Sequence, residues 1–172
     1  MVFFINSFLL ILVALFSTLF VYPLLHELGH FIMAVLLGYD ILSFDFYGGF
    51  RMMLSVENCT VGVMLVSFAG IIFPLLCVML LPSDCFIFRM IKIDIFMMNG
   101  MVTICSAVCV IMHTCGIEVN DDIANLTAFY PQTVYVNFMI IVIIELVTII
   151  YIKNQKFLVY TRDFLFKKHP FI

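Results

Sequence analysis

Charge is what this chain has least of. Only 11% of its 172 residues are Asp, Glu, Lys or Arg, while 65% are hydrophobic, and tryptophan is missing altogether. A soluble domain carries about twice that charged fraction to keep its surface in water, so a soluble globular protein is excluded. The mean hydropathy of +1.23 points the same way. Cations are scarce until the end: five of the eight Lys and Arg are Lys153, Lys156, Arg162, Lys167 and Lys168. That tail is short and mixed with Phe and Tyr, which fits a membrane surface rather than nucleic acid. CxxC pairs and a compact disulfide framework are absent as well. The six cysteines, Cys59, Cys77, Cys85, Cys105, Cys109 and Cys115, fall mostly in or beside apolar runs, where cysteine packs as a small apolar side chain. No Lys or Arg precedes the first run, so a cleaved leader is not expected.

What is present is a set of four apolar runs, at about 3–38, 61–82, 95–113 and 134–152. Each is long enough to cross a hydrocarbon core of about 30 Å. The expected fold is an all-α, multi-pass integral membrane protein with about four transmembrane helices. Residues 1–152 form its core and 153–172 a basic aromatic tail. The first run exceeds one bilayer thickness at about 1.5 Å per residue. Pro23 inside it predicts one tilted, kinked helix or a break near Tyr22-Pro23. Gly38 is placed to end the helix. Polar and apolar residues then alternate around Gly48-Gly49, which predicts a small interfacial β-hairpin within 39–60. The second run holds Ala69-Gly70 and Pro74, small or kinking residues that permit close helix contact. Residues 83–94, with Asp84, Arg89, Lys92 and Asp94, read as a polar loop. Residues 114–133 are acidic and hold no Lys or Arg.

The end of the first run reads His26-Glu27-Leu28-Gly29-His30. Histidines four apart lie on one helix face, one turn from each other. Their nitrogens can hold one zinc ion at about 2.0–2.1 Å each. Glu27, one residue on, is placed to take a proton from an attacking water and pass one to a leaving amine. Zinc would lower the pKa of that water toward about 7 and polarise a peptide carbonyl. Two histidines and a glutamate inside an apolar segment are costly to keep without such a role.

A catalytic zinc takes a third protein ligand. Asp121 and Asp122 stand just past the third run, where the alternative role for either is a helix N-cap. Cys105, Cys109 and His113 share one helix face at i, i+4 and i+8, a stripe that serves either core packing or a thiolate and imidazole supply. Glu145 lies mid-run in the last helix. Asn99 and His113 are placed to orient ligands, to hold substrate backbone or to join helices.

In this order the elements resemble the site-2 protease family of intramembrane zinc metalloproteases. The resemblance rests on His26-Glu27-Leu28-Gly29-His30 followed by Gly38, on Phe44-Asp45-Phe46-Tyr47-Gly48-Gly49, and on Ser67-Phe68-Ala69-Gly70. It covers roughly residues 10–150. It implies Glu27 as the catalytic base and one zinc per chain, held by His26, His30 and an aspartate at the far end of a later helix. Asp122 is the better match there, with Asp121 the alternative. It also implies a helix-unwinding membrane-protein substrate, with Gly48 and Gly49 in a hairpin that contacts it. The chain departs from the family in having Ala69-Gly70-Ile71 with the proline displaced to Pro74. It also has no Leu-Asp-Gly motif and no PDZ domain. The positive-inside rule places the tail in the cytoplasm and the zinc end opposite, whereas the resemblance implies a site nearer the cytoplasmic side. The expected function is hydrolysis of a peptide bond in or near a substrate's transmembrane helix. The rivals are a metal-ion transporter or channel using His26, His30 and the Cys105/Cys109/His113 face, and an inactive membrane-bound relative.

Overall fold

The structure, a computed structural model, describes residues 2–45, 49–52, 60–82 and 86–154, together with Val159, Arg162, Leu165 and Phe166. Its apolar segments are helical because a helix satisfies every backbone N–H and C=O internally, as a lipid environment requires. Among the described residues the fold is all-α apart from two short strands, with four helices long and apolar enough to cross a membrane: Phe3–Leu36, Thr60–Leu80, Ile87–Thr114 and Pro131–Asn154. Large apolar side chains point outward along them, with Phe4 75% and Leu80 87% exposed, a surface suited to lipid and not to water.

The first span comprises α1 (Val2–Phe16), a π-helical segment (Ser17–Val21) and α2 (Tyr22–Leu36). In a straight α-helix the Pro23 ring would strike the carbonyl four residues earlier. The π segment, closed by the Tyr22 N–H donating to the Ser17 carbonyl, widens the helix just before Pro23. The chain therefore runs through Tyr22-Pro23 without a break. At the far end Gly38 adopts φ +71°. The Tyr39 N–H reaches the Ala34 carbonyl at 2.9 Å and the Gly38 N–H reaches Val35 at 3.1 Å, closing α2 in a Schellman turn.

Two short strands follow, β1 (Ile41–Asp45) and β2 (Gly49–Met52), paired antiparallel with Asp45 opposite Gly49. The residues joining them, including Gly48, lie outside the described residues, and both strands sit against α2. Next comes α3 (Thr60–Leu80), which contains Pro74. It is followed by α4 (Phe86–Thr114), α5 (Asp122–Phe129), a 3-10 turn (Pro131–Thr133) and α6 (Val134–Asn154). Of the basic tail, Lys156, Lys167 and Lys168 lie outside the described residues, as do Asp84, Cys59 and Cys85.

The third span corrects the sequence reading in one respect. Its helix begins at Phe86, so Arg89, Lys92 and Asp94 are helical rather than part of a loop. Tertiary partners absorb the charges. Lys92 is buried and donates to the Leu81 carbonyl at 2.9 Å, and Thr18 donates to Asp94 at 3.3 Å. Helix α4 is the hub of the fold, touching α1, the π segment, α3, α5 and α6. Ile71, Val78, Ile95, Phe96, Val110 and Ile123 form the fully buried centre.

Helices α2 and α3 approach very closely. A Cβ on Gly29 would overlap the Ala69 carbonyl oxygen and come within 2.8 Å of Phe73 Cβ. Small residues at such crossings let backbones touch where no hydrophobic force drives helices together in lipid.

Candidate metal centre

Helix periodicity puts His26 and His30 on one face of α2, with ring centroids 4.7 Å apart and rings nearly perpendicular. Their Nε2 atoms are 3.2 Å apart. Asp122, the first residue of α5, places Oδ2 3.0 Å from His30 Nε2 and 3.3 Å from His26 Nε2. The separation along the chain is 96 residues from His26. Among the described residues, these three form the group whose ligand atoms converge within 4.8 Å, and they could hold a metal ion.

The surroundings fit that role. His30 is buried, and its Nδ1 lies 2.8 Å from the Val66 carbonyl of α3. A carbonyl only accepts, so Nδ1 carries the proton and donates it, leaving the Nε2 lone pair aimed at His26 and Asp122. Acceptors crowded together in this way need a cation or a shared proton between them. Donors around a tetrahedral ion with bonds of about 2.0–2.1 Å lie about 3.3 Å apart, close to the observed edges. Residue 70, one helical turn beyond Val66, is a glycine packed against both histidines. A Cβ on Gly70 would overlap His30 Nε2 and lie 2.9 Å from His26 Cε1.

The two aspartates do different jobs. Asp121 is the N-cap of α5, accepting from the Ile123 and Ala124 N–H groups at 3.0 Å each. Its other oxygen accepts from the Ser106 hydroxyl at 2.7 Å. Both oxygens are engaged, whereas Asp122 faces the histidines. The Asp122 side chain is half exposed. The crowding protein works to raise its pKa, but when a proton sits between the three groups in place of a cation, the hydrogen bonds and charge of His26 and His30 outweigh this and hold the carboxyl well below the usual carboxylate range.

Glu27 is half-buried beside the triad, and its Oε2 is buried with no hydrogen-bond partner among the described residues. Tyr22, one turn before His26, donates its hydroxyl to Asn99 Oδ1 at 3.2 Å, and its ring lies 6.0 Å from that of His26. Asn99 thus supports the helix bearing the histidines, and its own Nδ2 is buried without a partner among the described residues. Cys105, Cys109 and His113 stay on α4 and form no convergent cluster among the described residues. Glu145 packs over Gly100 of α4, Oε2 lying 3.5 Å from where a Cβ would stand. Gly49 pairs with Asp45 across the two strands.

Sequence reasoning named Asn99 but passed over its partner Tyr22, and also Val66 and Ser106. Val66 acts through its backbone, which no residue type announces. Ser106 and Tyr22 act across helix pairs whose register the sequence does not state. No protein-family model, no curated protein and no solved structure matches the chain. Fold and site together define a chain of four membrane-length helices with a two-histidine, one-aspartate candidate metal centre.

Proposed function

We propose that this chain is an intramembrane zinc metalloprotease of the site-2 type, cleaving a peptide bond in or near a substrate's transmembrane helix. The observation that carries the reading is the convergence of His26, His30 and Asp122, with Glu27 next to His26 and its Oε2 buried without a partner among the described residues. A 2-His-1-carboxylate set also suits iron(II). The neighbouring carboxylate favours hydrolysis, which needs a proton acceptor next to the metal.

Zinc held there supplies a Lewis acid that polarises the peptide carbonyl and acidifies a water. The protein's own residues do the rest. His26, His30 and Asp122 hold the ion, and the Val66 carbonyl fixes the His30 tautomer. Glu27 takes the water's proton and returns one to the leaving nitrogen. Gly70 and Gly29 let α3 close against the site without filling it. The substrate helix unwinds locally, because a helix shields its own carbonyls.

The test uses the purified full chain in detergent micelles. The probes are single-span peptides carrying glycine or proline near midspan. Wild type should bind one zinc and cleave, stop on chelation and recover with added zinc. Glu27→Gln should keep its zinc and lose cleavage. Equal cleavage by Glu27→Gln, or iron rather than zinc in the protein together with failure to cleave when zinc is supplied, overturns the reading.

A further inference from the structure

Two histidines on one helix are positioned by α2 alone, but Asp122 depends on where α5 sits. With eight residues, α5 is too short to hold its conformation by itself. Four of its residues, Ile123, Ala124, Leu126 and Thr127, are buried against the bundle. Polar contacts at both ends add directional constraints to that packing.

At the front, the Ser106 hydroxyl of α4 donates to Asp121 Oδ2 at 2.7 Å, while Asp121 Oδ1 receives the Ile123 and Ala124 N–H groups. One carboxylate therefore ties the helix start to α4. Ser106 lies about two turns before the end of α4 at Thr114, so this clip holds the returning chain back along α4 rather than at its tip. At the rear, the fully buried Asn137 of α6 donates through Nδ2 to Thr127 Oγ1 at 3.0 Å and to Thr133 Oγ1 at 3.1 Å. Those hydroxyls spend their protons elsewhere. Thr127 donates to the Ile123 carbonyl at 2.8 Å and Thr133 to the Tyr130 carbonyl at 2.7 Å. Both are therefore acceptors toward Asn137, and the amide orientation follows. The chain Asn137–Thr127–Ile123 ends on the residue next to Asp122.

We infer that Ser106 and Asn137 are positioning residues of the candidate metal centre, holding α5 between α4 and α6 so that Asp122 reaches His26 and His30. The inference rests on the metal-centre reading above. Neither side chain is placed to touch the ion. Each acts through Asp122.

The measurement is zinc affinity of the full chain in detergent, by competition with a chromophoric chelator, with melting of the metal-free protein recorded in parallel. Loss of an outer partner of a metal site typically weakens binding about 10- to 100-fold. Ser106→Ala and Asn137→Leu should each fall in that range, and Ser106→Thr should restore most of the loss. The deciding arm repeats Ser106→Ala and Asn137→Leu in an Asp122→Asn background. There each should change zinc affinity by less than about twofold, because residues acting through a shared partner are non-additive. A loss of the same size in both backgrounds means general destabilisation and overturns the inference, whatever the melting shows. So does wild-type affinity in the single variants. If Asp122→Asn itself binds zinc as wild type does, the metal-centre reading falls instead, and the two failures are told apart.

Discussion

Gly70→Ala should lower zinc affinity by about 100-fold or more, the largest effect expected of any single methyl group in this protein. Residues that support a metal ligand from outside typically cost 10- to 100-fold. This methyl goes further, because it would overlap His30 Nε2 and lie within 2.9 Å of His26 Cε1. The obstacle is the ligand atom itself, so no distant rotamer change relieves it. Gly29→Ala should also disturb the site, by a different route. Its methyl meets the Ala69 backbone and pushes α3 away as a body. Gly100→Ala is the contrast, since its new methyl would find Glu145 and Thr148 at 3.5–3.7 Å, ordinary contact. That variant should keep its metal and, with alanine favoured over glycine by about 1 kcal/mol in a helix, melt no lower. Metal content and melting temperature across the three decide the matter. A Gly70→Ala protein with a full zinc complement removes the site as drawn.

The second large effect separates adjacent aspartates. Asp122→Asn keeps the shape of the side chain but loses the anionic ligand facing both histidines. It should weaken zinc by more than the 10- to 100-fold of an outer partner while leaving the fold intact. Asp121→Ala keeps all three ligands and removes the α5 cap and the acceptor for Ser106. Its signature should be a loss of about 1–2 kcal/mol in stability with a smaller loss of metal. Chelator competition and thermal unfolding, run on both variants, give two numbers each. If Asp121→Ala loses more zinc than Asp122→Asn, the ligand assignment is reversed.

The contrast between these aspartates shows where sequence reasoning stops. Four helices, the shared face of His26 and His30, and Glu27 beside them were legible, because apolar length and helical periodicity are local properties. Gly38 was legible as a helix end for the same reason. Asp122 was one of two candidates on residue type alone, and only the family resemblance preferred it to Asp121. Choosing between them needs the Ser106 hydroxyl, which engages Asp121 and leaves Asp122 to the histidines. The helical start of the third span at Phe86 was hidden because Lys92 and Asp94 look like loop residues. Tertiary partners, Leu81 and Thr18 among them, make them tolerable inside a span. The start of α5 was legible only as a candidate N-cap at Asp121 or Asp122, and the length and packing of the helix were not.

The 96-residue gap between His26 and Asp122 has a bearing on biosynthesis. During synthesis the two histidines emerge together on the first span, while the aspartate follows only after the second and third spans have been made. It reaches them only once α5 has docked, and Asn137 of the fourth span takes part in that docking. A nascent or truncated chain therefore holds an incomplete ligand set. On the proposed reading, hydrolysis that depends on the triad would wait until α5 has docked against the last helix.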